Sequence, residues 1–135
     1  MSSAFSVAKR NMKKLRFGLV GAGGIAQAYA QAFNESNCCD LVAVADVRAE
    51  AAGALAEIVG AKTYADHIAL AKAETELDAV IVATPPVSHP DIACYFLERG
   101  IPVLCEKPLC LSVSEAERMI DAAERAGVLF TMASK

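Results

Sequence analysis

A doubly wound parallel α/β sheet is the fold class that this 135-residue sequence predicts. Short runs rich in Val, Ile and Leu alternate with longer stretches of helical periodicity, the pattern of strands joined by helical crossovers. A glycine-rich turn, Gly21–Ala22–Gly23–Gly24, follows the first apolar run directly and opens the first helical stretch. The runs carry few charges, as befits strands covered by helices on both faces.

Leu15–Val20 is the first strand, apolar enough to be buried on both faces. A helix from Gly24 to about Ser36 follows, its larger apolar residues Ile25, Tyr29, Ala32 and Phe33 sharing one face. Leu41–Asp46 is the second strand, and Arg48–Val59 the second helix, stopped by Gly60. Ala61–Tyr64 is a short third strand, after which Asp66 caps a helix running to about Ala73. Asp78–Ala83 is the fourth strand, broken by Pro85–Pro86, and a helix from Ser88 to Arg99 ends at Gly100. Pro102–Cys105 is the fifth strand. Ser112 and Glu115 form a capping box for a helix that Gly127 ends, and Val128–Met132 is the sixth strand. Right-handed crossovers give the sheet order 3-2-1-4-5-6, the Rossmann arrangement.

Length and charge narrow the function. One domain of this size buries a core without disulfides or metals. Of the 135 residues 27 are alanine, so the 55% hydrophobic content reflects close-packed helices rather than a membrane protein. The longest uncharged run, Phe17–Asn34, spans 18 residues but is too polar and glycine-broken to cross a bilayer. Residues 1–14 read as a basic, solvated arm with no secretory h-region, and Met12 is an alternative start. From residue 17 onward eight Lys/Arg face 16 Asp/Glu, a balance that repels nucleic acid. Five cysteines, an odd count without a CxxC pair, imply neither a disulfide framework nor a zinc site. Reduced thiols in a cytoplasmic protein, with no metal, are the expectation.

The chemistry concentrates at the carboxyl ends of the strands. Gly21, Gly23, Gly24, Ile25 and Ala26 fit G-x-G-x-x-A in its strand–turn–helix setting. Gly21 permits the tight turn, Gly23 lets backbone N–H groups approach a pyrophosphate, and Ala26 keeps helix and strand close. The helix N-terminus adds partial positive charge. Asp46, 20 positions after Ala26, is placed to accept from a ribose 2′-hydroxyl and to repel a 2′-phosphate, which favours NAD. Arg48 is able to hold that phosphate, so NADP stays open; capping of the second helix is the other reading of Asp46. Thr84 and Pro85 sit beside the topological switch point, where the Thr84 hydroxyl and backbone can touch a cofactor. His89 alone reads as a structural residue at a helix start. Glu106–Lys107–Pro108 closes the fifth strand. Lys107 is either a mobile cation that polarises a substrate oxygen or half of a solvated pair with Glu106.

Taken in order, GAGGIA, AVADVR, VATPPVSHPDIA, GIPVLCEKPL and SVSEAERMIDAAERAG resemble the N-terminal domain of the glucose–fructose oxidoreductase/inositol dehydrogenase/rhizopine-catabolism (Gfo/Idh/MocA) family over residues 15–135. The resemblance implies that Lys107 is the lysine of the EKP motif, a catalytic residue touching substrate and nicotinamide. It implies that Glu106 faces the nicotinamide ribose and that Thr84, Pro85 and His89 line the cofactor cleft. It also implies a second domain, absent from this chain, that supplies the substrate pocket, a catalytic His and the interface of a homo-oligomer. The expected activity is hydride exchange between NAD(P) and a sugar, polyol or related small molecule. A non-catalytic NAD(P) sensor is the alternative, and transient use of NAD in elimination or hydrolysis is a third reading.

Overall fold

The computed structural model describes residues 13–134; the expected basic arm lies outside them, apart from Lys13 and Lys14. The elements are β1 (Leu15–Val20), α1 (Gly24–Glu35), β2 (Cys39–Ala45), α2 (Ala49–Val59), β3 (Lys62–Tyr64) and α3 (His67–Ala73). There follow β4 (Ala79–Val82), a single 3₁₀ turn at Pro86–Ser88, α4 (His89–Leu97), β5 (Val103–Cys105), α5 (Val113–Ala126) and β6 (Phe130–Met132). All adjacent strands pair in parallel, in the order β3-β2-β1-β4-β5-β6. This is the Rossmann order expected from the sequence.

Register matters most for the site. Val20 pairs with Ala45 and Val82, Ala45 with Tyr64, Val82 with Cys105, and Cys105 with Met132. The carboxyl ends of all six strands therefore stand level, and the segments leaving them emerge along one edge. Helices cover both faces, dividing the core into two clusters. One centres on Leu19, Ala26, Ala30, Val44 and Leu55 under α1 and α2. The other gathers Val80, Val82, Phe96, Leu97, Val103 and Met119 under α4 and α5.

Three local expectations are corrected. Helix α1 does not bury Ile25, which is 46% exposed; it packs through Ala26 and Ala30, both fully buried. Small side chains let the helix lie close against the sheet, so the contact runs along the alanines while Tyr29 and Phe33 flank it. Nor is β1 buried throughout: Leu15 is exposed, and only the half near the glycine turn is enclosed. Strand β2 starts at Cys39, two residues early, because Leu15 pairs with Cys39 and an irregularity at Phe17/Gly18 shifts the register. The capping signals hold: Asp66 accepts from the Ala69 N–H at 2.8 Å, and Ser112 from the Glu115 N–H at 3.2 Å. Glu115 reaches back one residue further than a capping box predicts, accepting from the Leu111 N–H.

Candidate active site

Between the segments that leave β1, β2, β3 and β4 lies an open cleft of about 560 Å³. Gly21 and Gly23 form one side, Asp46–Arg48 and Ala65–His67 another, and Ala83–Pro85 the third. The first glycine is a steric necessity. Gly21 has φ +104°, and a Cβ there would stand 2.6 Å from the Ala83 carbonyl oxygen. Gly23 differs, since a Cβ on it would meet nothing within 4 Å. It is the N-cap of α1, with no side-chain cap and no acidic residue in the first turn. Among the described residues no side chain caps the N–H groups of this turn, and the space beside Gly23 is open, which fits a diphosphate. Gly24 and Ile25 are exposed on that first turn, and Ala26 is buried behind it.

Asp46 leaves β2 with its carboxylate turned back onto the glycine turn. Oδ2 accepts from the Ala22 N–H and Oδ1 from the Arg48 N–H, both at 2.8 Å. The Arg48 guanidinium reaches the same oxygens at a longer 3.4 Å. Burial by itself would raise the Asp46 carboxyl; the Arg48 and Ala22 N–H groups and the guanidinium outweigh it and hold it below the usual carboxylate range. Arg48, rather than Asp46, occupies the N-cap of α2. Because the guanidinium contacts are long, a ribose hydroxyl can compete with them for the carboxylate.

Thr84 Oγ1 lies 2.7 Å from Ser88 Oγ, which also lies 2.8 Å from the Pro85 carbonyl oxygen. Pro85 is exposed beside it. One strand further along the edge, Lys107 is exposed and, among the described residues, paired with no carboxylate. The Lys107–Pro108 peptide is cis. Glu106 does not pair with Lys107: it accepts from the Tyr29 hydroxyl at 2.5 Å, linking β5 to α1. Burial, then the hydrogen bond to Glu106, pushes the Tyr29 hydroxyl well above its ordinary value, so it stays a donor. His89, assigned to the cleft by resemblance, is fully buried beneath it. Its Nε2 lies 2.7 Å from the Thr84 carbonyl oxygen and its Nδ1 3.1 Å from that of Leu109.

Sequence reasoning missed Tyr29 and the segment Ala65–His67. The latter follows β3 at the common edge, so the strand order alone could have nominated it. The imidazole of His67 is half-buried against the Tyr95 ring, and burial lowers its basicity against the pull of Asp66. Tyr29 gave no such signal, because its partner lies 77 residues away. Among the described residues no group of three or more His, Cys, Asp or Glu is placed to hold a metal, and no helix is long and apolar enough to cross a membrane.

Residues 15–134 match the model of the Gfo/Idh/MocA family, described as an oxidoreductase family with an NAD-binding Rossmann fold. The chain belongs to this family. It is 40% identical over 114 residues to the rhizopine catabolism protein MocA of Rhizobium meliloti, covering 84% of this chain and 35% of that protein. It is 37% identical over 121 residues to glucose-6-phosphate 3-dehydrogenase of Bacillus subtilis, covering 90% of this chain and 33% of that enzyme. The WlbA dehydrogenase of Chromobactrium violaceum, crystallised with NADH and UDP-GlcNAcA, superposes with a TM-score of 0.85 at 31% identity, over 91% of this chain and 36% of the other. The chain thus spans about a third of the length of the relatives it matches. Its Rossmann fold is the NAD-binding part of this oxidoreductase family.

Proposed function

We propose that this Gfo/Idh/MocA domain serves a dehydrogenase that exchanges a hydride between NAD and a carbinol carbon of a sugar or polyol. The carrying observation is Lys107: an exposed cation, paired with no carboxylate among the described residues, at the carboxyl end of β5, one strand from the cleft. Bound NAD supplies the hydride acceptor. The chain's own residues bind and orient. The N–H groups of the first turn of α1 hold the diphosphate, Asp46 receives the adenosine ribose, and the Thr84 hydroxyl and Pro85 line the cofactor's path across the switch point. The carboxylate of Glu106, steadied by Tyr29, faces the nicotinamide ribose. Lys107 donates to the substrate hydroxyl oxygen and stabilises negative charge as its proton leaves. A base and the rest of the substrate pocket belong to a further domain, which also forms a homo-oligomer interface. The names of the relatives support the substrate class, two of those cited above being dehydrogenases.

The test is Lys107→Ala in the intact protein that carries this chain, assayed by NADH formation with sugars and polyols. Turnover should fall about 10²-fold or more while NAD affinity stays within about threefold. Undiminished turnover in the variant would remove Lys107 from the chemistry.

A further inference from the structure

We infer that His89 is a positioning residue for Lys107, its buried imidazole tying the cofactor-side turn of β4 to the segment that carries the lysine. The inference rests on the preceding reading of Lys107. His89 begins α4 and is 0% exposed, so it offers no atom to cofactor or substrate. Its two nitrogens bridge different segments: Nε2 faces the Thr84 carbonyl at 2.7 Å, Nδ1 the Leu109 carbonyl at 3.1 Å. Thr84 lines the cofactor cleft, and Leu109 lies two residues beyond Lys107.

Beyond Glu106, which is held by Tyr29 and by the Val82 carbonyl, the lysine segment has little else to hold it. No strand or helix forms between Cys105 and Val113. Among the described residues, the contact to His89 is the one hydrogen bond made by Lys107, Pro108 or Leu109. Pro108 has no N–H to give, and the Leu109 side chain only rests against the core. On the other side, Pro85 and Pro86 also lack N–H groups, and the donors of the turn come from Ser88, whose N–H and hydroxyl face the Pro85 carbonyl and Thr84 Oγ1 rather than the Thr84 carbonyl.

A carbonyl oxygen only accepts, so each contact needs a proton on the facing nitrogen. A singly protonated ring donates to one carbonyl, and donation to both takes the doubly protonated ring. The singly protonated ring ties one segment by a hydrogen bond and meets the other only by packing, whereas the doubly protonated ring ties both. An apolar side chain would fill the same volume and leave both carbonyls without this donor. The position of Lys107 relative to the nicotinamide is thereby referenced to Thr84 through one imidazole.

The experiment is a double-mutant cycle in the intact protein with His89→Leu, Lys107→Ala and the pair, each checked for folding by circular dichroism. His89→Leu should lower kcat about tenfold with the KM for NAD within about twofold, because geometry at the lysine changes while the Gly21–Gly23 turn and Asp46, to which His89 makes no contact, keep their places. Added to Lys107→Ala, it should lower the residual turnover by no more than about twofold. Amide exchange of the peptide spanning 107–112 should accelerate, while strand β4 keeps its protection. A folded His89→Leu with wild-type kcat, or a loss that adds in full to Lys107→Ala, would overturn the inference and mark His89 as core packing. Should His89→Leu fail to fold, His89→Gln, which retains one donor, is judged by the same criteria. Full turnover by Lys107→Ala alone would instead defeat the reading of the lysine itself.

Discussion

The Ala22 backbone N–H donates to Asp46 Oδ2 at 2.8 Å, so the carboxylate that follows β2 also fastens the glycine turn after β1. One side chain thus shapes the glycine turn and, in the proposed reading, also receives the adenosine ribose. Asp46→Ser should therefore do two things. It frees the Arg48 guanidinium, now 3.4 Å from the carboxylate, to meet a 2′-phosphate, and it removes the repulsion of that phosphate. It also releases the Ala22 N–H, so affinity for NAD should fall by about tenfold or more. Calorimetric titration with both dinucleotides measures the shift toward NADP. A native protein that already binds NADP more tightly than NAD would refute the assignment.

The same carboxylate predicts an acid limb in stability. Its folded value lies below the ordinary one, so the stabilisation is fully present above the unfolded value of about 3.9 and lost as pH falls through the lower folded value. Melting temperatures of the wild type should drop more steeply below pH about 4 than those of Asp46→Asn, whose amide does not ionise. Parallel slopes would show that Asp46 gains no net stabilisation from its partners.

The two glycines of the turn should separate folding from binding. Gly21→Ala places a Cβ 2.6 Å from the Ala83 carbonyl oxygen at φ +104°, so it should destabilise the domain by about 3 kcal/mol or more. Gly23→Val meets no protein atom near its Cβ and should fold normally, yet it fills the space before the α1 N–H groups and should weaken NAD by about 10²-fold. Thermal melts and NAD titrations of both variants distinguish the effects. Wild-type affinity in folded Gly23→Val would remove the diphosphate from that turn.

What the sequence disclosed was local. Val/Ile-rich runs, the glycine turn and the caps at Asp66 and Ser112 are encoded within a few residues, and the strand order follows from crossover handedness. Burial of particular faces was less legible: α1 presents alanines to the sheet because close packing outweighs the gain from burying Ile25. Contacts between distant segments were not legible at all. The partner of Tyr29 is 77 residues away, and the second partner of His89 is 20 residues away. Neither spacing corresponds to a helix or strand period. Only the folded edge brings them together, and it separates the two readings of Lys107, because Glu106 turns to Tyr29 and leaves the lysine apart.

That separation sets up the last prediction: residues 1–135 alone should bind NAD and turn nothing over. The parts needed for binding are in place, namely the Gly21–Gly23 turn, Asp46 and the Thr84–Pro85 segment around one cleft. Turnover further needs a substrate carbon held within about 3–3.5 Å of the nicotinamide and a base to take the hydroxyl proton. Lys107 is exposed at an open sheet edge and is charged to donate, not accept. His89 is buried with both nitrogens directed at carbonyls, and His67 stands at the far end of the cleft beside Asp46 and Arg48, so neither is available as that base. The measurement pairs an NAD titration with an assay of NADH formation over a panel of sugars and polyols, on the same sample. Binding without turnover is the expected result, with affinity weaker than in the intact protein because one wall of the cleft is open. Sustained turnover by residues 1–135 would mean that a base within this domain completes the site, and the two-domain reading would fail.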